Sequence, residues 1–247
     1  MNIWRPWSPT NKLKKNTPQT DRKPAKDTVL VISDLHAPFQ HKHALDFLSD
    51  TYKKFKCTKV VCIGDEVDFH IISRHRPEPD AMGAMDEIRA AIKFLKELYC
   101  LFPRVQVCNS NHTSRPFKMA KEVGIPSYFI RKTSEFLEAP KGWTWQDELI
   151  IDNVLYFHGE GFSGQSGAIN AACIKRMNTV IGHLHSFGGA MYHSNGYNTI
   201  FGLNVGCLID VEAYAFRYGK PLKNKPTIGV GIVIEGEQAD FIPLTQE

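Results

Sequence analysis

Short apolar runs and longer amphipathic stretches alternate along the first two thirds of the chain. Runs rich in β-branched residues predict five strands, at 28–33, 58–63, 104–108, 154–158 and 178–182. Apolar residues at helical spacing predict helices near 42–55, 84–101 and 165–177, whereas 113–140 is predicted to be helical but irregular. This alternation of strands and helices indicates an α/β fold.

The last part of the chain changes to a pattern of hairpins. Asn195-Gly196 lies between two short apolar runs and predicts a hairpin with a type I′ turn, because both residues tolerate positive φ. A hairpin is also expected between Trp143–Trp145 and Leu149–Ile151, and the chain closes with strands at 227–234 and 238–243. Together these patterns predict a four-layer α/β/β/α sandwich, in which two mixed β-sheets are flanked by helices.

Composition adds an N-terminal region of different character. The chain has 247 residues, of which 43% are hydrophobic and 23% charged, as is usual for a globular protein with a sizeable core. Residues 1–27 hold seven basic and two acidic side chains, a net charge of +5. The whole chain carries +4, so residues 28–247 carry a net −1. We therefore expect a basic arm (1–27), followed by one folded domain (28–247). Trp4 and Trp7 of the arm either pack on that domain or contact nucleic acid or another partner.

The cellular setting expected from the sequence is the reducing cytoplasm. The chain has no apolar run long enough to span a bilayer and no signal-peptide core, so neither a membrane association nor export is expected. Its six cysteines are scattered and form no Cys-x-x-Cys pair, which argues against a disulfide framework.

Five polar motifs follow predicted strands directly. They are Ser33-Asp34-Leu35-His36, Gly64-Asp65-Glu66-Val67-Asp68, Asn109-Ser110-Asn111-His112, His158-Gly159-Glu160 and Gly182-His183-Leu184-His185. Strand ends at one edge of a sheet lie near each other, so distant motifs can contribute to one site. Carboxylates and imidazoles suit a pair of divalent cations, which in phosphoester hydrolysis supply the nucleophile and neutralise the phosphoryl oxygens. The motifs therefore predict a two-metal centre that hydrolyses phosphoesters.

The order of these motifs resembles that of the calcineurin-like metallophosphoesterase superfamily, particularly its compact bacterial and phage members. The resemblance runs from about Val29 to His185 and identifies 28–247 as a metallophosphoesterase domain. It implies that the first ion is held by Asp34, His36, Asp65 and His185. It implies that Asp65 bridges to a second ion, which is completed by Asn111, His158 and His183. The expected cofactor is thus two divalent cations, with Mn²⁺ favoured by analogy and Fe²⁺, Zn²⁺, Ni²⁺ and Mg²⁺ left open.

The resemblance also implies roles in catalysis, with one departure from the family pattern. His112 would act as the general acid or stabilise charge on the phosphate, and Asp68 would orient a ligand. Where the family has an acidic residue after the Asn-His pair, this chain has Thr113, which is expected to orient His112 without supplying charge. Arg115 would compensate by contacting phosphate, or is an ordinary arginine at a helix start.

The substrate is predicted less directly. His70, Arg74 and His75 follow the second motif and are candidates for binding the substrate phosphate or base, although a solvated surface loop is the equal alternative. The family's Ser/Thr protein phosphatases carry an arginine directly before their Gly-Asn-His triplet, whereas Cys108 and Asn109 precede Ser110-Asn111-His112 in this chain, which argues against that class. A small phosphorylated substrate, a nucleoside or deoxynucleoside 5′-monophosphate, is the first choice. A phosphodiesterase or DNA nuclease that uses the basic arm is the second, and a metal-keeping docking module with weak catalysis is the third.

Overall fold

The computed structural model describes residues 26–73, 82–213 and 225–245, so Trp4, Trp7 and nearly all of the basic arm lie outside the described residues. The described chain forms five α-helices and eleven strands. The helices are α1 (Ala44–Lys54), α2 (Ala84–Leu101), α3 (Arg115–Glu122), α4 (Thr133–Phe136) and α5 (Gly167–Lys175). The first six strands are β1 (Thr28–Ile32), β2 (Lys59–Cys62), β3 (Val105–Cys108), β4 (Trp143–Gln146), β5 (Leu149–Ile151) and β6 (Val154–Phe157). The others are β7 (Asn178–Ile181), β8 (Gly188–Ser194), β9 (Thr199–Val205), β10 (Gly229–Ile234) and β11 (Gln238–Pro243).

The strands form two mixed sheets, as the sequence predicted. The six-stranded sheet has the order β11-β10-β1-β2-β3-β4, with β1 to β4 parallel and the β10–β11 hairpin antiparallel to β1. The five-stranded sheet has the order β5-β6-β7-β9-β8, in which β6, β7 and β9 are parallel and both edge strands are antiparallel. The predicted hairpin around Asn195 is present as β8–β9.

The alternation of side chains along β1 shows how the layers stack. Leu30 and Ile32 point into an apolar cluster with α1 and α2, whereas Val29 and Val31 point into a second cluster against the five-stranded sheet. A third cluster, around Ala168 and Ala171, seats α5 on the outer face of that sheet. Helices therefore cover the outside of both sheets, which confirms the predicted four-layer sandwich.

Two details of the predicted turns are wrong. Trp143–Trp145 and Leu149–Ile151 do not form a hairpin, because β4 pairs with β3 in one sheet and β5 pairs with β6 in the other. The two-residue turn with positive φ at both positions lies instead between β5 and β6, at Asp152 and Asn153 (φ 49° and 62°). At Asn195-Gly196 neither φ is positive, and the loop is closed by the Asn195 side chain, which accepts hydrogen bonds from the next backbone N–H groups.

No helix within the described parts of the chain combines the length and apolar character needed to cross a bilayer.

Candidate metal centre

The site lies where the parallel strands of both sheets end. Asp34 follows β1, Asp65 follows β2 and Asn111 follows β3, while His158 and His183 follow β6 and β7 of the other sheet. Hydrogen bonds join the two sheets at this edge, and in one of them the backbone N–H of His183 donates to Asp34 Oδ2 over 2.9 Å. The packing of sheet on sheet therefore brings together motifs that are about 150 residues apart in the chain.

The backbone turns sharply at the motifs. Four non-glycine residues of the site have left-handed φ values, and they are Asp34 (50°), His36 (48°), Asp65 (52°) and His183 (66°). Such values are uncommon for residues with a Cβ and cluster at functional sites, where surrounding packing maintains them. The strained backbone at these four residues therefore directs their side chains to one point, at a cost in local backbone stability.

Gly64 allows the tight turn that follows β2. Its φ is +98°, and a Cβ there would lie 2.5 Å from Ser110 Cβ and 2.9 Å from His158 Nδ1. Only a residue without a side chain therefore lets the β2 turn approach the third and fourth motifs this closely.

The first ligand cluster contains the four residues that the resemblance implied for one ion: Asp34, His36, Asp65 and His185. Their nearest ligand atoms lie within 4.8 Å of one another. His185 Nε2 is 2.9 Å from Asp34 Oδ1, and His36 Nε2 is 3.6 Å from Asp65 Oδ2. Two carboxylates and two imidazoles around one point suit a divalent transition-metal ion.

The second cluster shares Asp65 with the first. Asp65, His158 and His183 also have ligand atoms within 4.8 Å of one another, and His158 Nε2 lies 3.3 Å from Asp65 Oδ2. Asn111 joins this group, because its Oδ1 is 2.7 Å from His158 Nε2. All seven side chains named as ligands from the sequence are therefore brought together, and Asp65 lies between the two groups.

The charges within the site explain the pKa shifts of its members. Burial would raise the pKa of Asp34 and Asp65, but the surrounding histidines outweigh it and lower both pKa values. Burial would lower the pKa of His36 and His158, but the carboxylates raise it to about 10 and about 9 respectively. Without a cation, the buried carboxylates are thus balanced by protons on these imidazoles. A bound cation would replace those protons.

The outer nitrogens of the ligand histidines are held by fixed acceptors. His36 Nδ1 donates to Asp68 Oδ1 over 2.7 Å, and His158 Nδ1 donates to the carbonyl of Ile63 over 2.9 Å. These bonds leave Nε2 of each ring directed at the cluster, as ligand histidines require. The predicted orienting contact of Asp68 is therefore present.

Asp68 also holds His112. His112 Nδ1 lies 3.0 Å from Asp68 Oδ1 and 2.7 Å from the Asp68 carbonyl, and His112 Nε2 lies 3.9 Å from Asp65 Oδ2. His112 is thus fixed at one nitrogen and presents the other to the centre. A carboxylate does support this imidazole, but it comes from the second motif rather than from the position after His112.

Arg115 completes this side of the site. Its Nη1 donates to the carbonyls of Asp68 and Phe69, and its Nη2 lies 3.0 Å from His112 Nε2. The guanidinium is therefore held beside the nitrogen that faces the cluster. Arg115 is therefore engaged by protein groups at the start of α3, and its contact to a phosphate stays a prediction.

Thr113 has a different role from the one expected. Its hydroxyl donates to Glu66 Oε2 and accepts from Ser110 Oγ, both over 3.0 Å, so it bonds to these residues rather than orienting the ring of His112. Ser110 Oγ in turn accepts the backbone N–H of Asp65 over 2.9 Å. The sequence analysis assigned no role to Ser110 or Glu66, although both stand inside the motifs.

Three further residues are predicted to bind the substrate: His70, Arg74 and His75. His70 lies on a short 3₁₀ helix, is only 2% exposed, and its backbone N–H donates to Glu87. It is therefore not in the open loop that the sequence suggested. Arg74 and His75 lie outside the described residues.

The two-sheet fold and the shared Asp/His cluster agree with what the resemblance in motif order implied. No family model matches the sequence, and no curated protein matches it. Among solved structures, the chain is similar to Vps29 from Entamoeba histolytica (14% identity, TM-score 0.40), with 88% of this chain and 99% of that chain covered. It is similar to the phosphoesterase YfcE from E. coli (16%, TM-score 0.41), with 84% and 88% covered. It is also similar to Vacuolar Protein Sorting 29 from Cryptosporidium parvum (13%, TM-score 0.40), with 89% and 98% covered. At these identities the similarity assigns no activity to the chain.

Proposed function

We propose that the protein is a metal-dependent phosphoester hydrolase that uses two divalent cations. The observation that carries the proposal is the position of Asp65, which belongs to both ligand clusters. A carboxylate shared between two histidine-containing groups is what a two-ion site requires. The donor set suits the proposed Mn²⁺ as well as Fe²⁺, Zn²⁺ or Ni²⁺. When bound, the cations would activate a water molecule and neutralise the charge on the phosphoryl oxygens.

The chain's own residues supply the rest of the proposed chemistry. His112 is held through Nδ1 by Asp68, and its Nε2 accepts from Arg115 Nη2 over 3.0 Å. Once a substrate phosphate takes that guanidinium N–H, Nε2 would be the atom that carries a proton to the leaving oxygen. Arg115, 3.0 Å from that nitrogen, would bind a non-bridging phosphate oxygen and add fixed positive charge there. Because its Nη1 is anchored on two backbone carbonyls, the guanidinium is positioned before substrate arrives.

The finer proposal concerns the substrate, a nucleoside or deoxynucleoside 5′-monophosphate. A single terminal phosphate would contact both clusters and Arg115. The supporting observation is the placement of the guanidinium beside His112, where it can hold a monoester. Phosphate release from ribo- and deoxynucleotides, compared with hydrolysis of a model diester, would decide this point.

The general proposal is tested with the Asp65→Asn variant. Added Mn²⁺ should let the parent protein release phosphate from an aryl phosphate monoester. The variant should lose this activity because the shared carboxylate is replaced by a neutral amide. Asp50→Asn, an exposed position on α1, is the matched control and should keep the parent rate. Wild-type activity in Asp65→Asn would reject the site.

The role of His112 is separated from that of the ligands by measuring metal content. His112→Ala should slow turnover by about 10²–10⁴-fold, the usual contribution of general acid–base catalysis, and should still bind two equivalents of metal. If metal is lost together with activity, His112 is a ligand and not the acid.

A further inference from the structure

One surface beside the metal centre combines positive charge with exposed aromatic rings. It is formed by residues 115–132, here called the α3 surface, which include α3 and the turn that follows it. Between these limits the sequence has five basic residues and one acidic residue, although residues 28–247 carry a net −1. Positive charge is therefore concentrated here within an otherwise near-neutral domain.

The apolar part of the α3 surface is unusually open to solvent. Tyr128 is 89% exposed and Phe129 is 74% exposed, and their rings meet edge to face with centroids 5.5 Å apart. Val123 and Ile125 are exposed nearby in the chain. A cleft of about 450 Å³ lies beside them and is lined by Phe117, Lys121, Ile125 and Ile130, among others. Large apolar side chains left in water in this way indicate a binding surface.

The basic part of this surface leads to the metal centre. Arg115, Lys118 and Lys121 follow each other at intervals of three residues along α3, which places their successive Cα atoms about 4.5 Å apart along the axis. Arg115 contacts Asp68 and His112, so the row begins at the centre itself. Lys118 Nζ lies 3.5 Å from Glu160 of the fourth motif, two residues after the ligand His158. The row of cations therefore starts beside the metal ligands and continues along α3 to Lys121, which lines the cleft together with Ile125 and Ile130.

We infer that the α3 surface binds single-stranded nucleic acid and holds it beside the metal centre. Cations spaced along a helix match a chain of phosphates, and exposed aromatic rings stack on unpaired bases of any sequence. Paired bases would not offer their faces to Tyr128 and Phe129. The consequence for catalysis, a terminal phosphate monoester of an oligonucleotide as an additional substrate, rests on the proposed function, whereas the binding itself does not.

Binding is measured with the full-length chain and a short labelled single-stranded DNA by fluorescence anisotropy, in a metal chelator so that no cleavage occurs. The double variant Tyr128→Ala/Phe129→Ala should weaken binding by at least about fivefold, the lower end of the contribution of one stacked base. Tyr197→Ala removes a ring that is 100% exposed at the β8–β9 turn and is the matched control, expected to bind as the parent does.

The charge row is tested through salt dependence. Lys121→Gln should lower the slope of log affinity against log salt by about 0.7, the value for one phosphate contact on a single strand. Lys93→Gln, an exposed lysine on α2, should leave the slope unchanged. Unchanged melting temperatures of these surface variants would show that folding is not the cause of either effect.

Several results would overturn the inference. Parent-like binding by the double variant would leave the basic arm as the nucleic-acid contact, and equal affinity for duplex DNA would exclude stacking on unpaired bases. Binding to anionic lipid vesicles without binding to DNA would assign the surface to a membrane. Aryl phosphate hydrolysis by the same variants should stay at the parent rate, so failure of the phosphoesterase proposal and failure of this one are read from different assays.

Discussion

Asp68 connects the part of the site that would hold metal to the part that would move a proton. Its Oδ1 accepts from His36 over 2.7 Å and lies 3.0 Å from His112 Nδ1, and the surrounding histidines lower its pKa despite burial. The family pattern has an acidic residue after His112, and Thr113 at that position is expected to supply no charge to the ring. The structure shows that Asp68 already gives His112 its carboxylate, so the substitution at 113 does not leave the ring unsupported.

Replacing Asp68 by Asn is therefore expected to affect both functions. Metal affinity should fall by about 10–100-fold, the usual loss for an outer-shell partner of a ligand histidine, and turnover at saturating metal should fall as well. Metal titration and kcat at saturating Mn²⁺ measure the two effects separately. An unchanged kcat in metal-saturated Asp68→Asn would contradict the contact to His112 as a catalytic support.

Arg115→Ala offers a second test at this scale. The variant should bind metal as the parent does, because no Arg115 atom belongs to either ligand cluster. It should lose about tenfold or more in kcat/KM, since removing a hydrogen bond to a charged group costs roughly 1.5–3 kcal/mol. Arg89→Ala, an exposed arginine on α2, is the matched control. A parent-like kcat/KM in Arg115→Ala would separate this residue from the substrate.

Helices and strands could be predicted from the sequence where they depend on the spacing of apolar residues along the chain. Helix α2 has the predicted bounds because its apolar stripe, including Leu95 and Leu98, is read directly from the chain. The partner of a strand is not a local property. β4 and β5 are separated by only two residues, yet they join different sheets, because each pairs with whichever strand buries its apolar face.

The contact between α5 and β9 shows a tertiary requirement that periodicity does not express. A methyl group on Gly202 would clash with the backbone of Ala168 and Ile169. Gly202→Ala should therefore destabilise the protein by about 1–3 kcal/mol or more, since the helix must move away from the sheet. Chemical denaturation measures the change.

Gly196→Ala is the matched control for this prediction. No atom lies within 4 Å of the added Cβ, and φ is not positive there, so its effect should stay within about 0.5 kcal/mol. Equal free energies of unfolding for both variants would show that α5 does not pack closely against Gly202 of β9.

At the scale of the whole molecule, the metal centre joins the two sheets, so metal and protons should compete in setting stability. The pKa of His36 is raised to about 10 and that of His158 to about 9, both above the unfolded value near 6.5. In the chelated protein their stabilising contribution is complete below about pH 6.5 and is lost as the pH rises through 9 and 10.

The melting temperature of the chelated protein should therefore fall between about pH 7 and about pH 10. That of the Mn²⁺-loaded protein should fall less, because metal binding releases these protons and strengthens as the pH rises. The difference in melting temperature between the Mn²⁺-loaded and the chelated protein should therefore increase as the pH rises. A constant gap over this range would mean that neither histidine exchanges its proton for metal.

The sequence by itself determined the local elements and the four-layer class, because apolar periodicity is a property of contiguous residues, and the resemblance in motif order implied the seven candidate ligands. Only the tertiary structure decided which carboxylate supports His112, where Thr113 and Glu66 bond, which strands pair across the two sheets, and that a basic row begins at Arg115. Those features depend on atoms brought together from distant segments. The distances between these atoms are set by the packing of the two sheets, which no single stretch of the sequence specifies.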